Sequence, residues 1–384
     1  MTTRTYLKIT LLLGLTSFLT DTSSEMIMPI LPFFISALGG TGLVVGLIGG
    51  LEESVSSILK VIAGYWSDKT GKRKMFVSSG YLASAVSKIF LAFSTIWQHV
   101  LILKPIERVG KGLRTAPRDA IIADYTEKDV RGKAFGLHRT LDTGGAILGS
   151  TLALILFWFM ELEFNAIIFV GALIAFSALI PLYPVKEKRT GEKKTSLKIS
   201  LTALPSSLRF FIIIGSLFSL GNFTYMFYIL RAEQFFTGKL AFAAPILLYI
   251  WFNVIFAVFS TPSGILSDKI GRERVLLIGY FLFGLTTLLF ALPLPLNSLI
   301  LLFALYGLVF ALVEGNQRAL VSDLAPKELR GTSLGTFHTA IGLASLPSGL
   351  VAGMLWQFVG PNATFFFGSV CGFLAASLLI LKKL

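Results

Sequence analysis

Ionisable side chains interrupt stretches of this chain that are otherwise apolar, and their spacing suggests chemistry. Asp21 and Glu25 lie four residues apart, so a helix would carry both on one face, about 6 Å apart along its axis. Glu52 and Glu53 break a second apolar run, with Lys60 two turns on. Arg108, Lys111 and Arg114 or Thr115, then Arg118, recur at three- and four-residue steps as one cationic stripe. His138 and Asp142 are one turn apart beside Arg139, and Glu314, Arg318 and His338 are the sparse counterparts further along. Carboxyls in apolar surroundings hold their protons more firmly than in water, and two side by side resist double ionisation, which suits them to carry protons. A histidine suits a proton relay, and a cationic stripe suits a carboxylate or phosphate. The alternative is mutual neutralisation, the stripe against the neighbouring carboxylates. That alternative is preferred for Lys60, Arg118, Asp119 and Arg318, and the chemical reading for the deeper Asp21, Glu25 and Arg108. The aromatic residues Phe223, Tyr225, Phe227 and Tyr228 read as packing.

Other chemistries find little support. Cys371 is the only cysteine and lies in an apolar run, so no disulfide framework is possible. No glycine-rich nucleotide loop, metal-ligand cluster or nucleophile–base pair is present, so no cofactor or metal is expected and a membrane enzyme or receptor is a remote reading.

The elements that must position these charges are membrane helices. Fifty-four per cent of the residues are hydrophobic and 14% charged, against about 25% charged in soluble domains. A span needs about 20 mostly apolar residues. Candidates run over 9–35, 43–65, 75–95, 134–158, 165–184, 208–231, 241–263, 275–292, 298–321, 333–356 and 363–381. The N-terminal stretch reads as a retained first span, since Asp21 and Glu25 interrupt it and no small-residue cleavage site follows. Residues 98–121 are too charged to qualify alone, but they fall where the apolar 298–321 falls in the second half. A charge at mid-bilayer costs at least ~2.5–3.5 kcal/mol, so those on this segment must face the protein interior.

Two pairs of repeats support that alignment. Gly64-Tyr-Trp-Ser-Asp68-Lys69-Thr-Gly71-Lys72-Arg73 returns as Gly264-Ile-Leu-Ser-Asp268-Lys269-Ile-Gly271-Arg272-Glu273, and Arg131-Gly132 with Gly136 returns as Arg330-Gly331 with Gly335. The chain therefore reads as an all-α integral membrane protein of twelve transmembrane helices in two pseudo-symmetric six-helix bundles, 1–184 and 207–384, joined by a basic linker, 185–206. Parallel repeats of this kind place a substrate site between the halves. With both termini in the cytoplasm, the inner loops collect Lys69, Lys72, Arg73, Lys128, Arg131, Lys269, Arg272, Lys327 and Arg330, the linker adds six cations and the tail adds Lys382 and Lys383. The net charge of +13 thus faces an anionic leaflet, and no nucleic-acid partner is expected.

The pattern Gly64-x-x-x-Asp68-Lys69-x-Gly71-Lys72-Arg73, its echo from Gly264 to Gly271, and Arg108-x-x-x-Gly112 resemble the signature motifs of the major facilitator superfamily. The segment Arg108-Val-Gly-Lys-Gly-Leu-Arg-Thr-Ala-Pro-Arg-Asp119 is similar to a subgroup of its prokaryotic permeases. The resemblance implies a secondary transporter of the cytoplasmic membrane, monomeric, moving a small solute by alternating access with protons as the coupling ion, in the manner of drug or metabolite efflux. An anion symporter or exchanger using the cationic stripe is the alternative. The resemblance also implies that Gly64, Asp68, Gly71, Arg73 and Arg131, with Gly264, Asp268, Gly271 and Arg330, hold the cytoplasmic side closed. Glu273 departs from the pattern by standing in a basic slot, and Gly149-Ser150 stands where proton antiporters carry Gly-Pro.

Overall fold

A computed structural model describes residues 3–127, 130–186, 204–326 and 329–381. They form helices and no strands: α1 (Thr3–Ile27), α2 (Leu31–Ala37), α3 (Gly42–Thr70), α4 (Arg73–Ala92), α5 (Trp97–Tyr125), α6 (Arg131–Trp158), α7 (Phe164–Ser177), α8 (Leu179–Leu182), α9 (Ser206–Gly221), α10 (Met226–Glu233), α11 (Leu240–Ile270), α12 (Arg272–Ala291), α13 (Ser298–Leu324), α14 (Arg330–Phe358) and α15 (Pro361–Leu381). Ten helical stretches among the described residues are long and apolar enough to cross a membrane. At 25 and 29 residues, α1 and α5 have the length of a span and fall short on composition. Large apolar side chains stay exposed on outward faces, among them Phe90, Phe169, Leu247, Val258 and Val370. Such a surface suits lipid tails and would be a liability in water.

Three expected spans are interrupted, 165–184 only by a one-residue break at Ala178 between α7 and α8. The stretch 9–35 breaks after Ile27, because Pro29 has no N–H to continue the ladder and biases Met28 away from helix. The stretch 208–231 breaks between Gly221 and Met226: Asn222 N–H still reaches Phe218 O at 2.9 Å, and the next backbone bond beyond the break is Phe227 N–H to Thr224 O at 3.3 Å. The charged segment 98–121 is helical throughout α5, with Pro105 and Pro117 inside it.

By packing, the chain forms two compact units, one of Met1–Gly39 with Val55–Leu197, the other of Gly40–Ser54 with Lys198–Leu384. Helix α3 contributes to both. In the first unit α1 packs on α6 and α7, and α4 on α5 and α7. The second repeats the scheme, α9 on α14 and α15, α12 on α13 and α15. Close approach is enforced where a side chain would not fit. A Cβ at Gly80 of α4 would meet the Gly110 carbonyl of α5, and one at Gly110 would meet the Gly80 carbonyl. Gly145 and Gly149 of α6 similarly admit the α1 backbone at Phe18 and Thr22. These two crossings bring the ionisable residues of α1, α4, α5 and α6 together.

Candidate functional site

The first unit encloses a connected polar network. The carboxyls of Asp21 of α1 and Asp142 of α6 are close enough to act on one another, and Asp142 also pairs with Arg139 at 3.1 Å. Two ionised carboxylates are acceptors only, so a pair of carboxyls placed this way is stabilised by a proton between them. One turn before Asp142, buried His138 meets Ser17 Oγ at 3.0 Å. Ser17 Oγ lies 3.1 Å from the Tyr81 hydroxyl and accepts from Arg118 Nη1 at 3.0 Å. Arg118 continues to Asp119 at 3.0 Å. Hydroxyls, an imidazole and a guanidinium thus link α1, α4, α5 and α6; the hydroxyls and imidazole can donate and accept, and the guanidinium only donates.

A second cluster fills the crossing of α4 and α5. Glu107 bridges Lys104 at 2.6 Å and Lys88 at 4.0 Å, and Lys88 Nζ donates to Ser23 Oγ at 2.9 Å and Ser24 Oγ at 2.8 Å. All three charged side chains are nearly inaccessible. Buried charges persist in low dielectric when paired and hydrogen-bonded, as these are. Arg114 lies beside them, its Nη1 donating to Ser84 Oγ at 2.7 Å and its guanidinium 4.7 Å over the Tyr81 ring. Ser84 in turn donates to Glu107 O at 3.0 Å.

Set against expectation, the structure gathers Asp21, Arg114, His138 and Asp142 in this region, and places buried Arg108 and exposed Lys111 on the same helix, α5. The carboxyl it gives Asp21 as partner is Asp142, 121 residues away, where the sequence suggested Glu25. Glu25 lies beside Gly149 on the α1–α6 contact. Buried Glu52 and exposed Glu53 lie on the part of α3 that packs with the second unit. Glu314 forms an exposed pair with Arg318 at 3.0 Å on its own helix, which fits neutralisation better than a cavity role. Lys88, Lys104 and Glu107 were missed. A signal existed, since Lys88 is the lone charge in 75–95.

The two signature loops share one geometry. Gly71 has φ 65° and Gly271 φ 97°, a backbone that favours glycine, and each turns the chain into the next helix. Arg73 bridges Asp68, at 2.7 Å, and Asp124 at the end of α5. Arg272 bridges Asp268, at 3.4 Å, and Asp323 at the end of α13. The basic slot that Glu273 leaves empty is thus filled one position earlier. The second turn is one residue shorter, so Arg272 takes the bridging role of Arg73, and Glu273 stands in the first turn of α12, where an acid is favourable. The first bridge is the more buried, with Arg73 7% and Arg272 29% exposed. Gly64 packs near Ala116, whereas Gly264 faces open space. Arg330 is exposed, and the Arg131 side chain lies outside the described residues, as do Lys128, Lys327, Lys382, Lys383 and linker residues 187–203.

In the second unit the equivalent interior is aromatic. Tyr228 stacks on Tyr306 at 4.0 Å, amid Phe223, Phe252, Phe290 and Phe365. Phe223, Phe227 and Tyr228 are buried as packing.

Known proteins agree with this architecture. The sequence profile of the Major Facilitator Superfamily matches residues 13–256 and 237–383. An uncharacterized MFS-type transporter of Methanocaldococcus jannaschii is 52% identical over 96% of this chain and 93% of its own length. The multidrug resistance protein MdtH of Photorhabdus laumondii is 27% identical over 81% of this chain and 77% of its own. Among solved structures, the nucleoside transporter NupG covers 97% of this chain and 98% of its own with TM-score 0.76 at 15% identity, and the POT family transporter PepTSo covers 97% of both with TM-score 0.81 at 14% identity. Both share the fold. This multi-pass membrane protein belongs to the major facilitator superfamily and is a transporter.

Proposed function

We propose that this transporter is proton-coupled, works by alternating access and carries its coupling proton on the Asp21–Asp142 pair. The observation that supports the reading is the approach of two carboxyls from different helices inside a span, an arrangement that a shared proton stabilises. Removing that proton places like charges together and favours separation of the α1 and α6 side chains; returning it favours closure. Proton occupancy thereby acts on the packing of two helices, as coupling requires. Near the pair, His138, Ser17 and the Tyr81 hydroxyl form a short relay of groups that can both donate and accept, with the Arg118 guanidinium as a fixed donor that holds Ser17 in place. In this reading twelve helices span the cytoplasmic membrane of a monomer with both termini inside, α1 and α5 completing the ten apolar spans, and the Asp68 and Asp268 loops close the inner side. The multidrug resistance relatives make efflux of small organic molecules the direction to test first.

Reconstituted vesicles under an imposed pH gradient test it. Asp142→Asn and Asp21→Asn should keep solute exchange and lose gradient-driven accumulation. Wild-type accumulation in both variants would defeat the proposal, and Glu25, Glu52 and Glu53 would be the next candidates.

A further inference from the structure

We infer that Arg114 is an anion-binding residue, taking a carboxylate or phosphate group of a small organic solute. The inference rests on the transporter reading above and adds the substrate class. Arg114 is 3% exposed within α5. Its contacts are the Ser84 hydroxyl at one nitrogen and the Tyr81 ring on one face of the guanidinium. Every other N–H of the fork is without an acceptor among the described residues. Arg114 also differs from neighbouring cations of the first unit. Lys88 and Lys104 meet Glu107, Arg73 meets Asp68 and Asp124, and Arg118 meets Asp119. Among the described residues no carboxylate reaches Arg114 at ion-pair distance; Asp21 and Glu107 act on it only through space.

A buried guanidinium without a counter-ion is costly, more so in a membrane, and an anionic ligand would supply the missing charge. The planar fork suits the two oxygens of a carboxylate or phosphate. Lys111, about one turn earlier and exposed, has no ion-pair partner among the described residues and offers a second positive charge. From Lys104 to Asp119 the helix carries five cations and two acids, so the local field favours an anion. In the transporter reading above, the Asp21–Asp142 pair carries a proton and so presents one negative charge instead of two.

Thermal unfolding of the purified protein in detergent, at constant ionic strength and without any gradient, tests this. Succinate and benzoate form the carboxylate arm, glycerol 3-phosphate the phosphate arm, and succinamide, benzamide and glycerol are the neutral controls. At least one anion should raise the unfolding temperature above its neutral control. Arg114→Gln should raise the half-saturating concentration at least about thirtyfold. Arg114→Lys, which keeps the charge and loses the fork, should raise it about tenfold and covers the case in which the glutamine variant does not fold. The inference is overturned if no anion exceeds its control in the wild type, or if either folded variant responds as the wild type does. Stabilisation by an anion alongside wild-type vesicles that show no pH-driven accumulation would uphold the anion site and defeat the proton reading alone.

Discussion

Helices α5 and α13 descend from one repeated design, and their interiors have diverged in opposite directions. Aligned on Asp124 and Asp323, which receive the equivalent arginines Arg73 and Arg272, Glu107 falls opposite Tyr306, Lys111 opposite Phe310, Arg114 opposite Val313 and Arg118 opposite Gln317. Tyr81 and Tyr280 keep corresponding places on α4 and α12. Arg118 and Ser17 serve the first hydroxyl, and Gln317 Nε2 donates to the second at 2.9 Å. The scaffold is held in common; of these two helices, only α5 carries buried charges, Lys104, Glu107, Arg108 and Arg114. Side chains that only filled space would carry no reason for this asymmetry, since aromatic packing serves the same crossing at lower desolvation cost.

The largest effect that would test the contrast is expected at Glu107. Glu107→Ala leaves Lys88 and Lys104 buried without their carboxylate and should cost about 3–5 kcal/mol, read as a fall in unfolding temperature and in yield of folded protein. A loss below about 1 kcal/mol would mean that water or lipid reaches the cluster, and that its burial is not what sets the two units apart.

Next is Arg118→Gln, which gives the first unit the residue of the second. Folding should persist, because Gln can still donate to Tyr81, while pH-driven transport should fall at least about tenfold, because a neutral amide replaces the charge-assisted hydrogen bonds to Ser17 and Asp119. Unchanged transport would place Arg118 in the structural class that its near-surface position suggests.

The signature loops give a smaller, graded contrast. Arg73→Gln should impair transport and stability more than Arg272→Gln, because the first bridge is the more buried and exposed ion pairs contribute only about 0–1 kcal/mol. Asp68→Asn should insert normally yet abolish net transport and increase labelling of a cysteine placed at the inner mouth. Equal effects at both loops would remove the distinction drawn from burial.

The smallest effect is expected in the aromatic unit. The hydroxyls of Tyr228 and Tyr306 are buried without a hydrogen-bond partner. Tyr228→Phe and Tyr306→Phe should therefore be neutral or stabilising, within about 1 kcal/mol. A clear loss of stability would reveal a bound water or ligand in that unit and blur the contrast.

Composition and periodicity determined the membrane class, because an apolar run long enough to cross a bilayer has few other uses. The repeats determined the paired loops, because a turn needing positive φ and a charge pair at a helix end leave their residue types in the sequence: Gly71 and Gly271, Asp68 and Asp268. Lys88 shows a legible signal passed over, a lone charge in an apolar run. Other features were set by tertiary contact. Asp21 meets Asp142 because Gly145 and Gly149 let α6 approach the α1 backbone, and no spacing rule relates residues 121 positions apart. Glu107 gathers two lysines because Gly80 and Gly110 bring α4 and α5 together, and the bridging role moved from Arg73 to Arg272 through a one-residue difference visible only once both arginines are seen on their aspartates. Sequence alone determined which residues carry charge into the membrane; the pairing of those charges, and the absence of a carboxylate partner at Arg114 among the described residues, was decided by helix crossings, since only they set which side chains share a low-dielectric space.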